Sequence, residues 1–322
     1  MKRKSNSFMI VVILVIVMIC LSFSAYAAAT RDTVKYQISV IVSDSTSDRW
    51  TRFRAGLEQA AEDYDVNLNY VTTDKFAAQY EETKLMRDEA ANGVDGIVVQ
   101  LVSSKNASDL IEEISKKTFI GLVETDAEVT DSLSDSYFAV TADNHEIGVS
   151  LAEQVLHDHQ DNCQSLKIAV LAGNQNQMSM QQRLAGLEET LTDAGCTINW
   201  VLENSSALED VQSYESADVM ISLDNDSLET AVSYVQTNPA LIPQLYGIGC
   251  SDRTIYYLDK GTISSMIVPN EFNMGYESIM TIISQLKNRL SPQADVEVSY
   301  SEITKENLYS EENQKMLFPI VK

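Results

Sequence analysis

Residues 38–68, ISVIVSDSTSDRWTRFRAGLEQAAEDYDVNL, decide how the rest of the chain is read. Ile38 to Val42 is an apolar run, which Ser43, Asp44, Ser45, Thr46 and Ser47 break with turn-forming side chains. A helical pattern follows, with Trp50, Phe53, Leu57, Ala60, Ala61 and Tyr64 on one face. A second apolar run, Val66 to Val71, comes a few residues after the helix ends, as a right-handed βαβ crossover on a parallel sheet requires. Open α/β sheets bind ligands beyond the carboxyl ends of their strands. The loop at that position is polar, lacks glycine and runs into a tryptophan. This composition suits a small polar molecule better than a phosphate held by backbone amides, and neither a GxGxxG nor a GxxxxGKS/T pattern occurs.

The alternation continues outward from this unit. A helix over Gln79 to Asn92 stops at Gly93, and Gly96 to Gln100 reads as the third strand. A helix over Asn106 to Lys117 and a strand over Phe119 to Val123 follow, the strands being apolar on both faces as in a parallel sheet covered by helices. A lone strand, Tyr137 to Thr141, leads into a helix reaching His157, with Asn144 as its expected cap. Strands at Lys167–Leu171, Thr197–Leu202, Val219–Leu223 and Gln244–Gly249, with helices at Met178–Ala194 and Ser227–Gln236, predict a second parallel sheet. Leu202 to Val219 has room only for one or two helical turns or an irregular connection. A short helix (Asp252 to Lys260), a strand (Ile263 to Val268), a long amphipathic helix (Met274 to Asn288) and a final strand (Val296 to Ile303) complete the reading. No Pro/Gly/Ser-rich linker separates the halves, so the domains are expected to be joined by several close crossings rather than a tether.

The 322 residues have room for two domains, and 44% hydrophobic with 22% charged residues is the composition of a globular protein. A net charge of -24 would repel phosphate backbones and anionic membranes, which excludes nucleic acid as an expected partner. At the amino terminus, Lys2, Arg3 and Lys4 precede the apolar run Phe8 to Leu21 and the A-x-A site Ala25-Tyr26-Ala27. Residues 1–29 are therefore expected to be a signal peptide cleaved after Ala27. The competing reading extends the run to Ala29 as an uncleaved membrane anchor, and either one takes the body out of the cytosol. Cys20 follows Met18-Ile19 rather than the small residues of a lipoprotein site.

Cys163, Cys196 and Cys250 remain in the body. Cys163 and Cys196 each precede a strand-like run, so parallel neighbouring strands would bring both thiols to one sheet edge, where they could pair; the alternative is three reduced, partly buried thiols. His145, His157 and His159 lack further soft ligands at metal-binding spacing, so no metal and no cofactor is expected.

The order of elements after about Tyr36, the segments VTADNHEIGVSLAEQVL (140–156) and GIGCSDRTIYYLDKGTISSMIVPNEFNMGY (247–276), and the triplet Asp224-Asn225-Asp226 resemble the type I periplasmic sugar-binding proteins and the ligand domains of LacI-type repressors. An export signal stands here in place of the repressors' DNA-binding element. The resemblance implies two Rossmann-like lobes with parallel sheets, joined by three hinge crossings near Ala142-Asp143, Val268 to Asn270 and Ser291 to Asp295. The first lobe would comprise residues 36–141 and 271–289, the second 142–270 and 290–322. It sets Asp44, Arg49, Trp50, Glu124, Gln181, Arg183, Asn225 and Asn270 against the ligand. Trp50 matches an aromatic that stacks on a sugar ring, or else plugs its helix against its own lobe. Glu124 matches a carboxylate that accepts sugar hydroxyls, or else is a solvated loop residue. Gln181 stands where many members carry Arg, with Arg183 two residues on. Asn225 matches a cleft Asn, or else serves a turn or a helix cap. Two departures bear on specificity: Gly249-Cys250 stands where members carry Asp, and Pro269-Asn270 where they carry a pair such as Gln-Asn. Asp44, Asp48, Glu124 and Asp224 would concentrate negative charge near the cleft and favour a neutral polyol-like or a cationic ligand.

The resemblance implies a monomeric binding protein that closes on a sugar-like solute and delivers it to an ABC-type permease; the alternative partner is a membrane receptor or histidine kinase. An enzyme is not expected, because there is no GxSxG elbow and no histidine is placed to activate Cys250.

Overall fold

The computed structural model describes residues 16–18, 35–159, 162–238, 243–288 and 294–319. The expected signal peptide or anchor lies outside the described residues except for Ile16–Met18. Among the described residues no helix is long and apolar enough to cross a membrane.

Among the described residues twelve strands form two six-stranded sheets. The first is built by β1 (Gln37–Ile41), β2 (Asn67–Tyr70), β3 (Gly96–Val99), β4 (Phe119–Val123), β5 (Phe138–Thr141) and β11 (Val296–Glu297), in the order β11-β5-β4-β3-β1-β2 and parallel throughout. The second contains β6 (Ile168–Leu171), β7 (Ile198–Leu202), β8 (Val219–Ser222), β9 (Gln244–Ile248), β10 (Ile263–Pro269) and β12 (Tyr300–Thr304), in the order β12-β10-β9-β8-β6-β7, with only β12 antiparallel. The strand order reverses between β1 and β3 and again between β6 and β8, so each sheet has a switch point where adjacent loops diverge and leave a crevice. The central strands are buried on both faces, β3 (GIVV) and β8 (VMIS) completely, as their apolar runs require. The edge strand β2 (NLNY) alternates exposed and half-buried residues.

Helices α1 (Thr51–Tyr64), α2 (Gln79–Asn92) and α3 (Ser108–Ser115) belong to the first lobe, and α4 (Asn144–Asp158), α5 (Met178–Asp193), α6 (Leu208–Gln212), α7 (Asn225–Thr237) and α8 (Asp252–Asp259) to the second. The long α9 (Glu271–Lys287) returns to the first lobe and packs on α1, whereas α4 packs on α5. Both helix pairs cross on glycines. A Cβ at Gly56 would lie 1.9 Å from the Phe272 carbonyl oxygen, and one at Gly148 would lie 2.1 Å from that of Arg183. Any side chain at either position would force the helices apart.

Among the described residues the backbone passes between the lobes three times: at Ala142-Asp143, at Asn270 and at Val298-Ser299. The last differs from the expected crossing at Ser291 to Asp295. Residues 291–293 of that expected crossing lie outside the described residues; Asp295 accepts a hydrogen bond from Ala139 N–H (2.8 Å) and β11 pairs with β5, so residues 295–297 belong to the first sheet and the boundary expected at residue 290 falls at Val298. What reads as one final strand is two short strands in different sheets. Asp143, not Asn144, caps α4, its side chain accepting from Glu146 N–H at 3.0 Å. A C-terminal helix, α10 (Glu311–Leu317), was not anticipated by the periodicity.

Cys163 and Cys196 form a disulfide with a Cα–Cα distance of 5.4 Å, next to the parallel pair β6–β7. Cys250 is free and buried.

Candidate functional site

The loops at the carboxyl ends of β1, β2, β6, β7 and β8 converge, with β3's first loop residues, on a cavity of about 340 Å³ between the lobes. From the first lobe it is lined by Ser43, Asp44, Arg49, Trp50, Lys75, Phe76, Ala77, Gln100 and Val102. From the second it is lined by Gly173, Asn174, Asn176, Gln177, Asn204, Ser205, Ser206, Asp224 and Asp226. The two halves are built alike. After β1 the chain turns through Asp44 (φ 50°), which is tied to the β2 loop by its N–H donating to Asp74 O at 3.1 Å. After β6 it turns through Gly173 (φ 66°), whose carbonyl accepts from Asn204 N–H of the β7 loop at 2.8 Å. The left-handed backbone at each turn lets successive loop residues point into the crevice.

Direct contacts between the lobes frame the cavity. On one side Asn174 Nδ2 donates to Val102 O (2.8 Å), Gln177 Nε2 to Leu101 O (2.6 Å), Met178 N–H to Ser104 Oγ (2.8 Å) and Ser179 N–H to Thr125 Oγ1 (3.2 Å). Across the mouth Lys75 Nζ pairs with Asp226 Oδ2 at 2.7 Å and reaches Ser206 Oγ at 3.4 Å. Burial draws the Asp226 carboxyl up, but the charge of Arg49 and the Lys75 hydrogen bond outweigh it and hold Asp226 below the usual carboxylate range. Behind the cavity the buried Arg52 of α1 donates to Leu317 O (2.6 Å), to Cys250 O and to Asp252 Oδ1 (3.3 Å), tying the first lobe to α8 and α10.

Three of the sequence-predicted residues, Asp44, Arg49 and Trp50, line this cavity. Trp50 is only 2% exposed, and its indole N–H already donates to Ser43 O at 3.0 Å. The Arg49 guanidinium covers the ring, with Cζ 3.8 Å from the centroid. Glu124, after β4, lies one layer back. Its Oε2 accepts from Arg49 Nη2 (2.8 Å) and from Gln100 Nε2, and its Oε1 is 3.9 Å from Arg183 Nη2.

Arg183 is buried in the second lobe, donating to Asn144 Oδ1 (2.8 Å) and Leu223 O (2.9 Å). Gln181 Nε2 donates to Gln175 O at 2.8 Å and so steadies the β6 loop. Asn225 accepts from Cys250 and Ser251 N–H, both at 3.1 Å, and donates to Glu229 Oε1 at 3.0 Å, while Asp224 caps α7 by accepting from Ser227 N–H at 2.7 Å. Asn270 sits at the second crossing and caps α9 through Asn273 N–H (3.1 Å). Gln181, Arg183, Asn225 and Asn270 thus brace the loops and the crossing instead of lining the cavity.

The sequence reading missed Lys75, Gln100, Asn174, Asn176, Gln177, Asn204, Ser205, Ser206 and Asp226 as cavity residues. Their shared signal is position: each follows the carboxyl end of a strand, the same argument that picked out the loop after β1. Glu271, at the start of α9, faces Arg49 and Cys250, and burial pushes its carboxyl up to about 7 against the opposing charge of Arg49. Cys250 donates to Arg49 O at 3.4 Å, and burial pushes its thiol up, the opposite of an activated nucleophile. Among the described residues no group of His, Cys, Asp and Glu could hold a metal ion.

Residues 38–290 match the family described as periplasmic binding protein domain. Over 197 residues the chain is 25% identical to the HTH-type transcriptional repressor PurR of Photobacterium profundum, covering 59% of this chain and 55% of that protein, so the chain spans about half the length of this curated relative. Among solved structures, a carbohydrate transporter solute-binding protein from Agrobacterium radiobacter in complex with D-arabinose superposes with a TM-score of 0.78 at 16% identity, covering 89% of this chain and 100% of that one. GanP, a glucose-galactose binding protein from Geobacillus stearothermophilus, gives 0.74 at 21% identity over 85% and 99% of the two chains. A galactofuranose binding protein gives 0.75 at 17% identity over 87% and 98%. At these identities the structural likeness establishes the fold, two parallel-sheet α/β lobes of the type I periplasmic binding protein class.

Proposed function

The chain belongs to the periplasmic binding protein domain family, and on that premise we propose that it is an exported solute-binding protein that closes on a small polyhydroxylated ligand, a neutral sugar or related polyol, and delivers it to an ABC-type permease. The observation that carries this reading is the cavity lined from both lobes by amides, hydroxyls and a few charged groups. A polyol offers hydrogen-bonding groups on every side, and such a cavity meets them from two rigid bodies at once. Ligand contacts that exist only when both lobes are engaged favour the closed arrangement, and the three crossings serve as the hinge. The transport role named for solved relatives supports a permease as the partner. The net charge of -24 weighs against the DNA-binding role of the repressor relative. One chain supplies the whole cavity, so a monomer suffices.

Thermal unfolding of the protein against arabinose, galactose, glucose, tagatose and their polyols tests this. A ligand present at about 100 times its Kd should stabilise by about 2.7 kcal/mol and raise Tm by several degrees. A flat response across the panel counts against a sugar ligand.

The ion pair across the mouth adds a smaller prediction. Lys75→Ala should speed ligand release by roughly two- to fivefold and weaken its salt dependence, since Lys75 and Asp226 are both substantially exposed and such pairs contribute at most about 1 kcal/mol. Stopped-flow release at low and high salt checks it, and an unchanged rate would remove the pair from closure.

A further inference from the structure

The aromatic platform expected to meet a sugar ring is not open in this cleft. Trp50 is almost fully buried, its N–H is spent on Ser43 O, and the Arg49 guanidinium lies over its ring at 3.8 Å. Arg49 and Trp50 both line the cavity at this point, but the ring face lies under the cation. That cation is not isolated. Glu124 holds it from behind at 2.8 Å, with Gln100 on the same carboxylate oxygen and Arg183 3.9 Å from the other. Glu124 itself is absent from the cavity wall. Its backbone turns through φ 65°, and its N–H donates to Val140 O at 3.1 Å, which fixes where the carboxylate is presented. The second cation of the cavity, Lys75, is matched by Asp226.

A guanidinium backed by a carboxylate offers hydrogen-bond donors with little net charge, which suits hydroxyl oxygens. Of the other carboxyls facing Arg49, Asp226 is already paired with Lys75 and burial pushes Glu271 up, so without Glu124 the same guanidinium would be a better anion site. Resting on the reading of the cleft as a polyol site, we propose that Arg49 is the surface that sets the ligand's charge, and that Glu124 is the positioning residue that restricts the cleft to the uncharged sugar and excludes the corresponding sugar acid. Two further carboxylates line the cavity, Asp44 and the α7 cap Asp224, and they act in the same direction.

The test compares matched pairs by titration calorimetry on the whole protein: D-galactose with D-galacturonate, D-glucose with D-glucuronate, and D-arabinose with D-arabinonate. Wild type should prefer the neutral member. Glu124→Gln, which keeps the size and an acceptor for Arg49, should shift the acid-to-neutral affinity ratio toward the acid by on the order of tenfold. Arg49→Gln should move preference the other way, toward D-galactosamine over D-galactose, and keeps the proposal testable if Glu124→Gln folds poorly. Sodium acetate against equal sodium chloride gives a reading independent of sugar stereochemistry: acetate should stabilise Glu124→Gln to heat, but neither wild type nor the Arg49→Gln/Glu124→Gln double variant. Unchanged ratios in both single variants, with no acetate effect, would overturn the proposal. An acetate effect in Glu124→Gln with no neutral sugar bound by wild type would support the masking of Arg49 and overturn the polyol reading of the cleft.

Discussion

Arg183→Ala is expected to cost about 3–5 kcal/mol of stability, because the side chain is buried and the change strands the groups it serves. Asn144 Oδ1 and Leu223 O would lose their donors, at 2.8 and 2.9 Å, and the Glu124 carboxylate would lose one of its two neighbouring guanidinium groups. The missing side chain also leaves a void beside the close crossing of α4 and α5, where the Arg183 carbonyl already touches Gly148 and the backbones have no freedom to close in. At roughly 2–4 °C per kcal/mol for domains of this size, Tm should fall by about 10 °C. Arg183→Lys, which keeps the charge but not the fork of donors, should fall between the two. A melt within about 2 °C of wild type for Arg183→Ala would show that these contacts carry little of the second lobe's stability.

Glu82→Gln is expected to stabilise the protein at alkaline pH. Glu82 is fully buried on α2; its Oε2 accepts from Val102 N–H, and its Oε1 has no partner. Burial pushes the carboxyl from its ordinary 4.5 up to about 8, with the Val102 hydrogen bond opposing. The folded state therefore holds a proton that the unfolded chain releases. The stability this contributes is fully present below about pH 4.5 and is lost as pH rises towards 8, by about 5 kcal/mol at about 1.4 kcal/mol per pH unit. Glutamine removes that slope. Its amide puts buried donors where the unpartnered oxygen was, at a cost of about 1–3 kcal/mol, which leaves a net gain at pH 8 of about 2–4 kcal/mol. Denaturant unfolding at pH 5 and pH 8 reads it directly: the variant should be the less stable protein at pH 5 and the more stable one at pH 8, and equal slopes against pH would refute the assignment. The site shares in the effect, since Val102 lines the cavity and its carbonyl accepts the interlobe hydrogen bond from Asn174.

The fold was legible because its signal is local. Apolar runs such as Gly96 to Val99 and Phe119 to Val123 can only be strands buried on both faces, and the helical pattern between Trp50 and Tyr64 makes the connection a crossover. The third crossing was not legible for the same reason. Residues 296–303 alternate like one strand, and the passage from the first sheet to the second at Val298-Ser299 is set by tertiary pairing with β5 on one side and β10 on the other. Within the site, the β1 loop announced Asp44, Arg49 and Trp50. The asparagines and serines of the β6 and β7 loops carry no spacing of their own and take their meaning from the crevice they surround. Asn225 and Arg183 sit close to the cavity in sequence and fold, yet their hydrogen-bonding groups face the protein's own backbone and side chains. Side-chain direction, unlike helix or strand periodicity, is decided by neighbours from elsewhere in the chain.

On this reading a sugar-like solute binds between the two lobes. Such binding is tested most directly by titrating the protein with the sugar that raises its Tm most, beside a Ser206→Trp variant whose indole would fill the cavity from the second lobe. One site per chain is expected, with affinity in the variant lower by on the order of tenfold or more and an unchanged melt in the absence of sugar. Equal affinity in both proteins, or no binding heat with any sugar, would contradict it.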